Sequence, residues 1–347
     1  MLSAPERAVS VGLKYVEPEA LPLRRLRKGK GFAYVDKHHK ALTDAKIRER
    51  LQKLAVPPAW EEVKLARDPK SHIQAVGRDE AGRLQYKYHE KWTETAHAVK
   101  QEKLEHFGDK LGEAREWIEG QLRRQTIDED FALGCALALL DRGGLRVGYP
   151  EYSREDGGRG ATTLTRKDVV IKDGKVRLRF FGKGGKRIQR IVDDPQLARA
   201  LDLLKTQPGA MLFRWKDKAT KKGEGADHCL SADEVNAALR QRFSETTSAR
   251  DFRTFRASSI VAGALQEVDP ADMKKRKEAL KQSIKESARF LANTPTVAKG
   301  SYVHPLVQAA FTDEQFDPAP LFTGPQRAGL SRGETALVRL LKREAVK

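Results

Sequence analysis

Cysteine is scarce in this chain. Only Cys135 and Cys229 occur among its 347 residues, and they form neither a CxxC pair nor another spacing typical of metal ligands. The sequence therefore indicates no disulfide framework and no metal site. Such a chain fits a reducing compartment, and we expect the protein to be cytoplasmic.

Long apolar runs and export signals are also lacking. The apolar run FALGCALALL, residues 131–140, is too short to span a bilayer. The N-terminus, MLSAPERAVS, has no apolar core of the kind that a signal peptide needs. We therefore expect a soluble protein without a membrane partner, in which Cys135 is a small buried residue and not a reactive thiol.

Acidic residues are in deficit. The chain has 48 Asp and Glu against 66 Lys and Arg, which gives a net charge of +18. This excess favours a polyanionic partner, although a basic composition alone also fits a merely soluble basic protein. The hydrophobic content of 39% is ordinary for a globular protein, and the length suggests two domains.

The character of the sequence changes near residue 92. Before it lie short strand-like segments, of which residues 72–88 alternate in polarity on both sides of DEAG and predict an antiparallel hairpin. After it the apolar spacing is mostly helical. We predict an α+β fold with a small amino-terminal domain, residues 1–92, built on an antiparallel sheet, and a larger, mainly helical domain, residues 93–347.

A three-stranded β-meander is predicted within the helical part, over residues 168–192. Asp173-Gly174 is a strong two-residue hairpin signal, and glycines surround Lys183 at a second turn. A lysine at a hairpin tip is usually only solvated, but on a flexible arm it could donate a proton to a leaving oxygen. The charged stretch of residues 216–228 is predicted to be an exposed loop.

A basic helix precedes the last tyrosine of the chain. Asp269 and Pro270 fit its N-cap and first position. Its predicted buried stripe is Met273, Leu280, Ile284 and Leu291, and its basic residues are Lys274, Lys275, Arg276, Lys277, Lys281, Lys285 and Arg289. These cations fit a solvated face or a phosphate-binding face. Ser331 and Glu334 have capping-box spacing before one last amphipathic helix.

Tyr302 stands among small and polar residues directly after that helix. A phenol has a pKa near 10, so only about 0.1% is ionised at pH 7, and a nucleophilic tyrosine needs cations beside it. Arg146, Lys183 and Arg253 can supply them. Planar guanidiniums match the equatorial oxygens of a phosphoryl transition state, so this set predicts phosphoryl transfer.

The motifs occur in an order that resembles a known family. They are GKGFAYVD, HIQAVGRDEAGRLQYKYHEKW, LRVGYPEY, FGKGGK, RDFRT and NTPTVAKGSY. They span most of the chain and resemble the small type IB DNA topoisomerases of poxviruses and bacteria. The resemblance implies that Tyr302 is the nucleophile and that Arg146 and Arg253 hold the scissile phosphate. It implies that Lys183 protonates the 5′ oxygen, and that the two domains form a C-shaped clamp on DNA.

Two positions depart from the pattern of the family. Asn293 stands where relatives usually have histidine, and its amide can donate a hydrogen bond to a phosphate but cannot carry a proton. Arg250 stands where relatives carry a lysine that assists leaving-group protonation. Because arginine is too weak an acid for that role, we expect Arg250 to polarise a neighbour or to hold DNA phosphate.

The resemblance also implies DNA contacts outside the catalytic set. The hairpin residues that would face DNA are Gln85, Tyr86 and Tyr88, with Arg83 and Tyr152 as weaker candidates and with Lys274, Lys275 and Lys281 on the basic helix. Glutamine can pair with a base edge, and tyrosine can donate to phosphate. From residue types alone, an ordinary strand with aromatic propensity is the preferred interpretation of this segment.

The implied reaction relaxes positive and negative supercoils through a transient single-strand break and a 3′-phosphotyrosyl link. It uses no ATP, metal ion or other cofactor, and we expect a monomer acting on double-stranded DNA in the bacterial nucleoid. Two alternatives stay open. A tyrosine site-specific recombinase shares the chemistry, although RDFR lacks the histidine of its HxxR pattern, and a non-enzymatic architectural DNA-binding protein would need only the basic helices.

Overall fold

The computed structural model describes residues 2–29, 31–151, 157–217 and 225–345. The chain forms two compact units, Met1–Lys100 and Gln101–Lys347. The predicted α+β class is confirmed, with an antiparallel sheet near the N-terminus and a helical core that holds a three-stranded sheet. The domain limits predicted from the sequence stay a prediction. No helix in the described ranges is long and apolar enough to cross a bilayer.

A five-stranded antiparallel sheet with the order β2-β1-β3-β4-β5 is the centre of the first unit. Its strands are Leu23–Lys28 (β1), Gly31–Asp36 (β2), Glu61–Leu65 (β3), Ile73–Arg78 (β4) and Leu84–Tyr88 (β5), and its helices are Ala4–Ser10 (α1) and Ala45–Lys53 (α2). Leu51 of α2 packs with Leu23 and Leu65 of the sheet in a buried apolar cluster. Helix α2 thus covers one apolar cluster of the sheet, while Ile73 and Val76 of β4 belong to a second buried cluster.

The hairpin predicted over residues 72–88 is confirmed as β4 and β5. Asp79 closes its turn, because the carboxylate accepts hydrogen bonds from the side chains of Arg83 and Gln85. The bond from Arg83 contributes most to lowering the pKa of Asp79, to about 2. The turn is therefore fixed by a carboxylate that stays ionised at neutral pH.

Helix α4 is the buried centre of the second unit. The helices of this part are Glu90–Arg123 (α3), Glu129–Gly143 (α4), Pro195–Leu204 (α5), Ala232–Arg242 (α6), Ala249–Gly263 (α7), Met273–Leu291 (α8), Pro295–Ser301 (α9), Pro305–Thr312 (α10), Ala319–Phe322 (α11) and Arg332–Ala345 (α12). Helix α3 begins in the first unit and continues into the second. Cys135 of α4 is fully buried, as predicted, and burial raises the pKa of its thiol.

The predicted meander is confirmed as an antiparallel sheet with the order β6-β7-β8. Its strands are Val169–Lys172 (β6), Lys175–Gly182 (β7) and Lys186–Asp193 (β8). Asp173 and Gly174 form the first turn with φ values of 54° and 67°, the left-handed conformation that a two-residue hairpin of this kind requires. Two further strands, Arg214–Lys216 (β9) and Asp227–Cys229 (β10), pair at the ends of the predicted loop of residues 216–228 and were not predicted.

The start predicted for the basic helix is wrong. Helix α8 begins at Met273, and its N-cap is Asp272, whose side chain accepts from the backbone N of Lys275. Asp269 instead caps a local turn, where its carboxylate accepts from the N of Ala271. Both aspartates can cap a helix, and only the packing of the following turn selects between them.

Arg276 is buried, although the sequence grouped it with the basic residues of a solvated or phosphate-binding face. It is only 1% exposed and is the largest fully buried side chain among the described residues. Its guanidinium donates to the main-chain oxygens of Pro270 and Ala310, which joins α8 to the end of α10. A buried arginine is tolerated here because carbonyl oxygens accept from both of its terminal nitrogens, although its Nε has no partner among the described residues.

The capping box predicted before the last helix is confirmed. The backbone N of Ser331 donates to the carboxylate of Glu334, and the N of Glu334 donates to Ser331 Oγ. Glu334 is 1% exposed and also accepts two hydrogen bonds from Arg115, which makes two more to Asp141. One guanidinium on α3 thereby links α4 and α12.

Candidate active site

Tyr302 is held at the C-terminal end of the short helix α9. Thr294 begins this helix by accepting from the backbone N of Val297, and the N of Tyr302 donates to Ala298 O at 3.0 Å. Ser258 of α7 donates to the main-chain oxygen of Tyr302 at 3.1 Å. Tyr302 is 8% exposed. Its main chain is therefore held by hydrogen bonds to α9 and α7, and its phenol is largely buried.

Arg253 lies on α7 directly beside this phenol. Its guanidinium carbon is 5.0 Å from the centre of the Tyr302 ring, and its nitrogens donate to the main-chain oxygens of Gly144 and Leu291. These acceptors carry no net charge, so they do not offset the positive charge of Arg253. Burial, and next the charge of Arg146, lower the pKa of Arg253 to about 10, and it remains a cation at neutral pH.

Arg146 follows the tight end of α4. Gly144 ends that helix with a φ of 63°, and a Cβ there would lie 2.6 Å from the ring of Phe290, so the turn requires glycine. Arg146 Nη2 donates to Asn293 Oδ1 at 3.1 Å. Asn293 Nδ2 is buried and has no hydrogen-bond partner in the described part of the chain. Arg146 thus fixes which way the amide points, and the donor capacity of the NH2 group is unused among the described residues.

Lys183 lies in the turn between β7 and β8, as predicted. Gly184 and Gly185 follow it with φ values of 70° and 67°. Three residues farther, Lys186 Nζ donates to Ala292 O at 2.6 Å. This bond ties the base of the Lys183 turn to the residue before Asn293.

An open pocket of about 360 Å³ brings the tyrosine, the two arginines and Lys183 together, whereas Asn293 is not among its described lining residues. Its lining includes Tyr302, Arg146, Lys183, Arg250, Arg253 and Arg159. Every charged residue among the described lining residues is a cation. A pocket of this size and sign suits a phosphodiester, whose charge the cations would neutralise.

The cations also act on the nucleophile candidate. Burial alone would raise the pKa of Tyr302, but the charge and hydrogen bond of Arg253, with the charges of Arg146 and Arg250, outweigh it and lower that pKa below its ordinary value. A lowered pKa increases the phenolate fraction at neutral pH.

Arg250 contacts the segment of the tyrosine itself. Its Nη2 donates to Ser301 O at 3.0 Å, and its guanidinium carbon is 5.0 Å from the centre of the Tyr302 ring. The sequence suggested a role toward DNA phosphate or a neighbouring group. In the structure its contacts are with the tyrosine and the residue before it.

The remaining predicted DNA-binding residues lie elsewhere or outside the described ranges. Tyr86 and Tyr88 share one exposed face of β5, where their rings stack at 5.7 Å, and strand alternation puts Gln85 on the other face. The basic-helix candidates Lys274, Lys275 and Lys281 are exposed on α8. Tyr152 is outside the described residues.

Arg159 is a pocket residue that the sequence did not reveal. Its signal is weak, an arginine between Gly158 and Gly160. Gly160 is required by close packing, because a Cβ there would lie 2.5 Å from Arg146 O. Only the folded chain shows that this glycine brings its neighbour to the pocket.

Comparison with known families decides the class of the enzyme. Residues 89–314, well over half of the chain, match the family described as the catalytic core of eukaryotic DNA topoisomerase I. Residues 31–79 match the N-terminal domain of bacterial DNA topoisomerase IB. The chain belongs to the type IB DNA topoisomerases. The DNA topoisomerase 1B of Acanthamoeba polyphaga mimivirus is 29% identical over 276 residues, which are 78% of this chain and 81% of that protein.

Family membership confirms the enzyme class predicted from the sequence. A type IB topoisomerase is an isomerase that acts on DNA, and this accounts for the excess of positive charge. Membership also decides against the site-specific recombinase and against the architectural DNA-binding protein.

Proposed function

We propose that this topoisomerase cleaves one strand of duplex DNA through attack of Tyr302 on a phosphodiester. The new bond joins the tyrosine oxygen to the 3′ phosphate, and the bond to the 5′ oxygen breaks. The observation that supports this most is a tyrosine held beside two guanidiniums in a pocket whose described charged residues are all cations. The reverse attack by the 5′ hydroxyl would restore the strand.

In this proposal Arg146, Arg253 and Asn293 hold the scissile phosphate. Charge spreads over the equatorial oxygens in the transition state, and fixed donors stabilise it without reorganising. The buried Nδ2 of Asn293 and the neutral partners of Arg253 support these roles, because both groups retain donor capacity or charge that a phosphate would use.

Lys183 is proposed as the general acid that protonates the departing 5′ oxygen. Its place at a glycine-bearing turn in the lining of the pocket supports this role. Released at one end, the cleaved strand would rotate about its partner and relax supercoils of either sign. The chain's own cations carry the charge in this scheme, so we expect activity without ATP, metal ion or other cofactor.

The DNA contacts proposed for the rest of the chain follow the same resemblance. Arg83, Gln85, Tyr86 and Tyr88 of the β4–β5 hairpin, together with Tyr152, would face the duplex. Arg250 and the α8 lysines Lys274, Lys275 and Lys281 would add positive charge near the backbone. We propose a monomer whose two domains form a C-shaped clamp, and a place at the nucleoid in the bacterial cytoplasm.

Plasmid relaxation tests the proposal. The purified protein is incubated with positively and with negatively supercoiled plasmid in EDTA without ATP, and samples are trapped in detergent. We expect relaxation of both signs and protein attached to the 3′ end. Tyr302→Phe should bind duplex DNA nearly normally but form no adduct.

Tyr149 provides the matched comparison, because it is the other tyrosine in the described lining of the pocket. Tyr149→Phe should still form the adduct. If Tyr302→Phe formed the covalent adduct and Tyr149→Phe did not, Tyr149 would be the nucleophile and the assignment of Tyr302 would be refuted.

A further inference from the structure

Arg159 is held between two elements of the proposed active site. Its backbone N donates to the O of Phe181 at 2.7 Å, on strand β7, which leads to the Lys183 turn. On its other side the N of Ala161 donates to Arg146 O at 2.8 Å. The main chain at Arg159 is therefore fixed against both the strand that leads to Lys183 and the loop that carries Arg146.

The guanidinium of Arg159 is anchored by one of its nitrogens. Nη1 donates to both carboxylate oxygens of Asp168, at 2.7 and 2.9 Å. Within the described chain, no hydrogen bond is made by Nε or Nη2. The side chain is 37% exposed while that of Asp168 is 7% exposed. Most of the donors of Arg159 thus remain available in the pocket that Tyr302 and Lys183 also line.

A purely structural ion pair explains this geometry less well. Asp168 already accepts from the backbone N and the hydroxyl of Thr165, both at 2.7 Å. Both bonds end on Oδ2, so that oxygen has partners without Arg159, while Oδ1 accepts only from Arg159 among the described residues. Arg159 is more than a third exposed, and solvent screening on its side weakens what the pair contributes to stability. The bond is better explained as one that aims the arginine, because it orients a rigid planar fork and leaves its other edge open to an anion.

We propose that Arg159 binds a phosphate of the cleaved strand next to the scissile phosphodiester, with Asp168 as the group that aims it. This inference rests on the proposed function of the pocket. It adds a fifth cation, and it gives the segment between Arg146 and the Lys183 strand a direct part in positioning DNA.

Neutral phosphate analogues test the inference. Duplex substrates that release the downstream fragment after cleavage are made with a single methylphosphonate at each position flanking the scissile phosphate. At one of these positions the neutral linkage should slow single-turnover cleavage by wild type about tenfold, the usual effect of losing a charged hydrogen bond. Arg159→Gln should be slowed about as much on the unmodified substrate, and that same linkage should slow it no further.

Lys167→Gln is the matched control, because Lys167 is exposed beside Asp168 and is not in the pocket lining. It loses one positive charge but should keep the full response to the neutral linkage. Arg159→Lys should recover part of the rate. The thermal midpoint of each variant is measured to separate folding from binding.

Two outcomes overturn the inference in different ways. If Arg159→Gln responds to every neutral linkage as wild type does, its slower cleavage is structural, and the phosphate assignment fails while the proposed mechanism stands. If wild type forms no covalent adduct with any substrate, the mechanism itself fails and the inference fails with it.

Discussion

Replacing Asn293 tests the proposed site most selectively. Its Oδ1 accepts from Arg146 Nη2 at 3.1 Å, while its buried Nδ2 has no partner among the residues described. If the amide acts by donating to the scissile phosphate, two substitutions separate its functions. Asn293→Ala removes both the acceptor and the donor. Asn293→Asp keeps the acceptor for Arg146 but puts a negatively charged oxygen where the donor was.

The expected magnitudes follow from these atoms. Loss of one transition-state donor costs about 3 kcal/mol, so Asn293→Ala should cleave about a hundredfold more slowly. In Asn293→Asp, two negative charges about 4 Å apart repel by about 4 kcal/mol at an effective dielectric constant near 20. Attraction to Arg146 offsets part of this repulsion. We therefore expect Asn293→Asp to be at least about tenfold slower than Asn293→Ala.

Single-turnover cleavage of a duplex that releases its downstream fragment measures both rates, with covalent adduct quantified on denaturing gels. Asn293→His, which restores a donor of similar reach, should be faster than either variant. If Asn293→Asp cleaved as fast as or faster than Asn293→Ala, the amide would serve only to hold Arg146, and its assignment to the phosphate would be refuted.

Three further predictions concern the acid, the nucleophile and the core. Lys183→Ala should cleave slowly on ordinary DNA but nearly normally when the 5′ oxygen is replaced by sulfur, because a thiolate leaves without a proton; equal defects on both substrates would contradict the role. Arg250→Gln should move the alkaline rise of the cleavage rate to higher pH, because Arg250 helps to lower the pKa of Tyr302; an unmoved profile would contradict it. Arg115→Met should lower the free energy of unfolding by about 3–5 kcal/mol in urea titrations, because it leaves the buried Asp141 without its cation and Glu334 with only the longer contact to Arg256. The lowered pKa of Glu334 means that its contribution to stability is present near neutral pH and is lost as the pH falls. The difference in unfolding free energy between wild type and Arg115→Met should therefore shrink in acid; a difference that stays constant with pH would contradict the network.

Features set by neighbouring residues were predictable from the sequence. The Asp173-Gly174 turn, the alternation of the β4–β5 hairpin and the capping box of Ser331 and Glu334 all depend on residues a few positions apart. Their signals are contained in short windows because hairpins and caps are local hydrogen-bonded structures.

Features set by distant contacts were not predictable. Arg276 looked like one more exposed cation, but in the core its two terminal nitrogens donate to carbonyl oxygens of Pro270 and Ala310. Arg159 reaches the pocket through the packing of Gly160 on the Arg146 loop. The contacts of Arg276 have no local signal in the sequence, and Arg159 has only the weak signal of its two flanking glycines.

The candidate site divides in the same way. The residue types of the catalytic set and their motifs were evident from the sequence. The bond between Arg146 and Asn293 joins positions far apart in the chain, and it alone shows that the amide NH2 is the group left without a partner among the described residues.

Mass spectrometry of the trapped covalent complex tests the central claim most directly. Wild-type protein is denatured during plasmid relaxation, the DNA is digested, and the protein is cleaved into peptides. We predict one modified peptide, from the segment ANTPTVAKGSYVHP, in which a nucleotide is joined through its 3′ phosphate to Tyr302. A nucleotide on another residue, such as Tyr149, or one joined through a 5′ phosphate would contradict it.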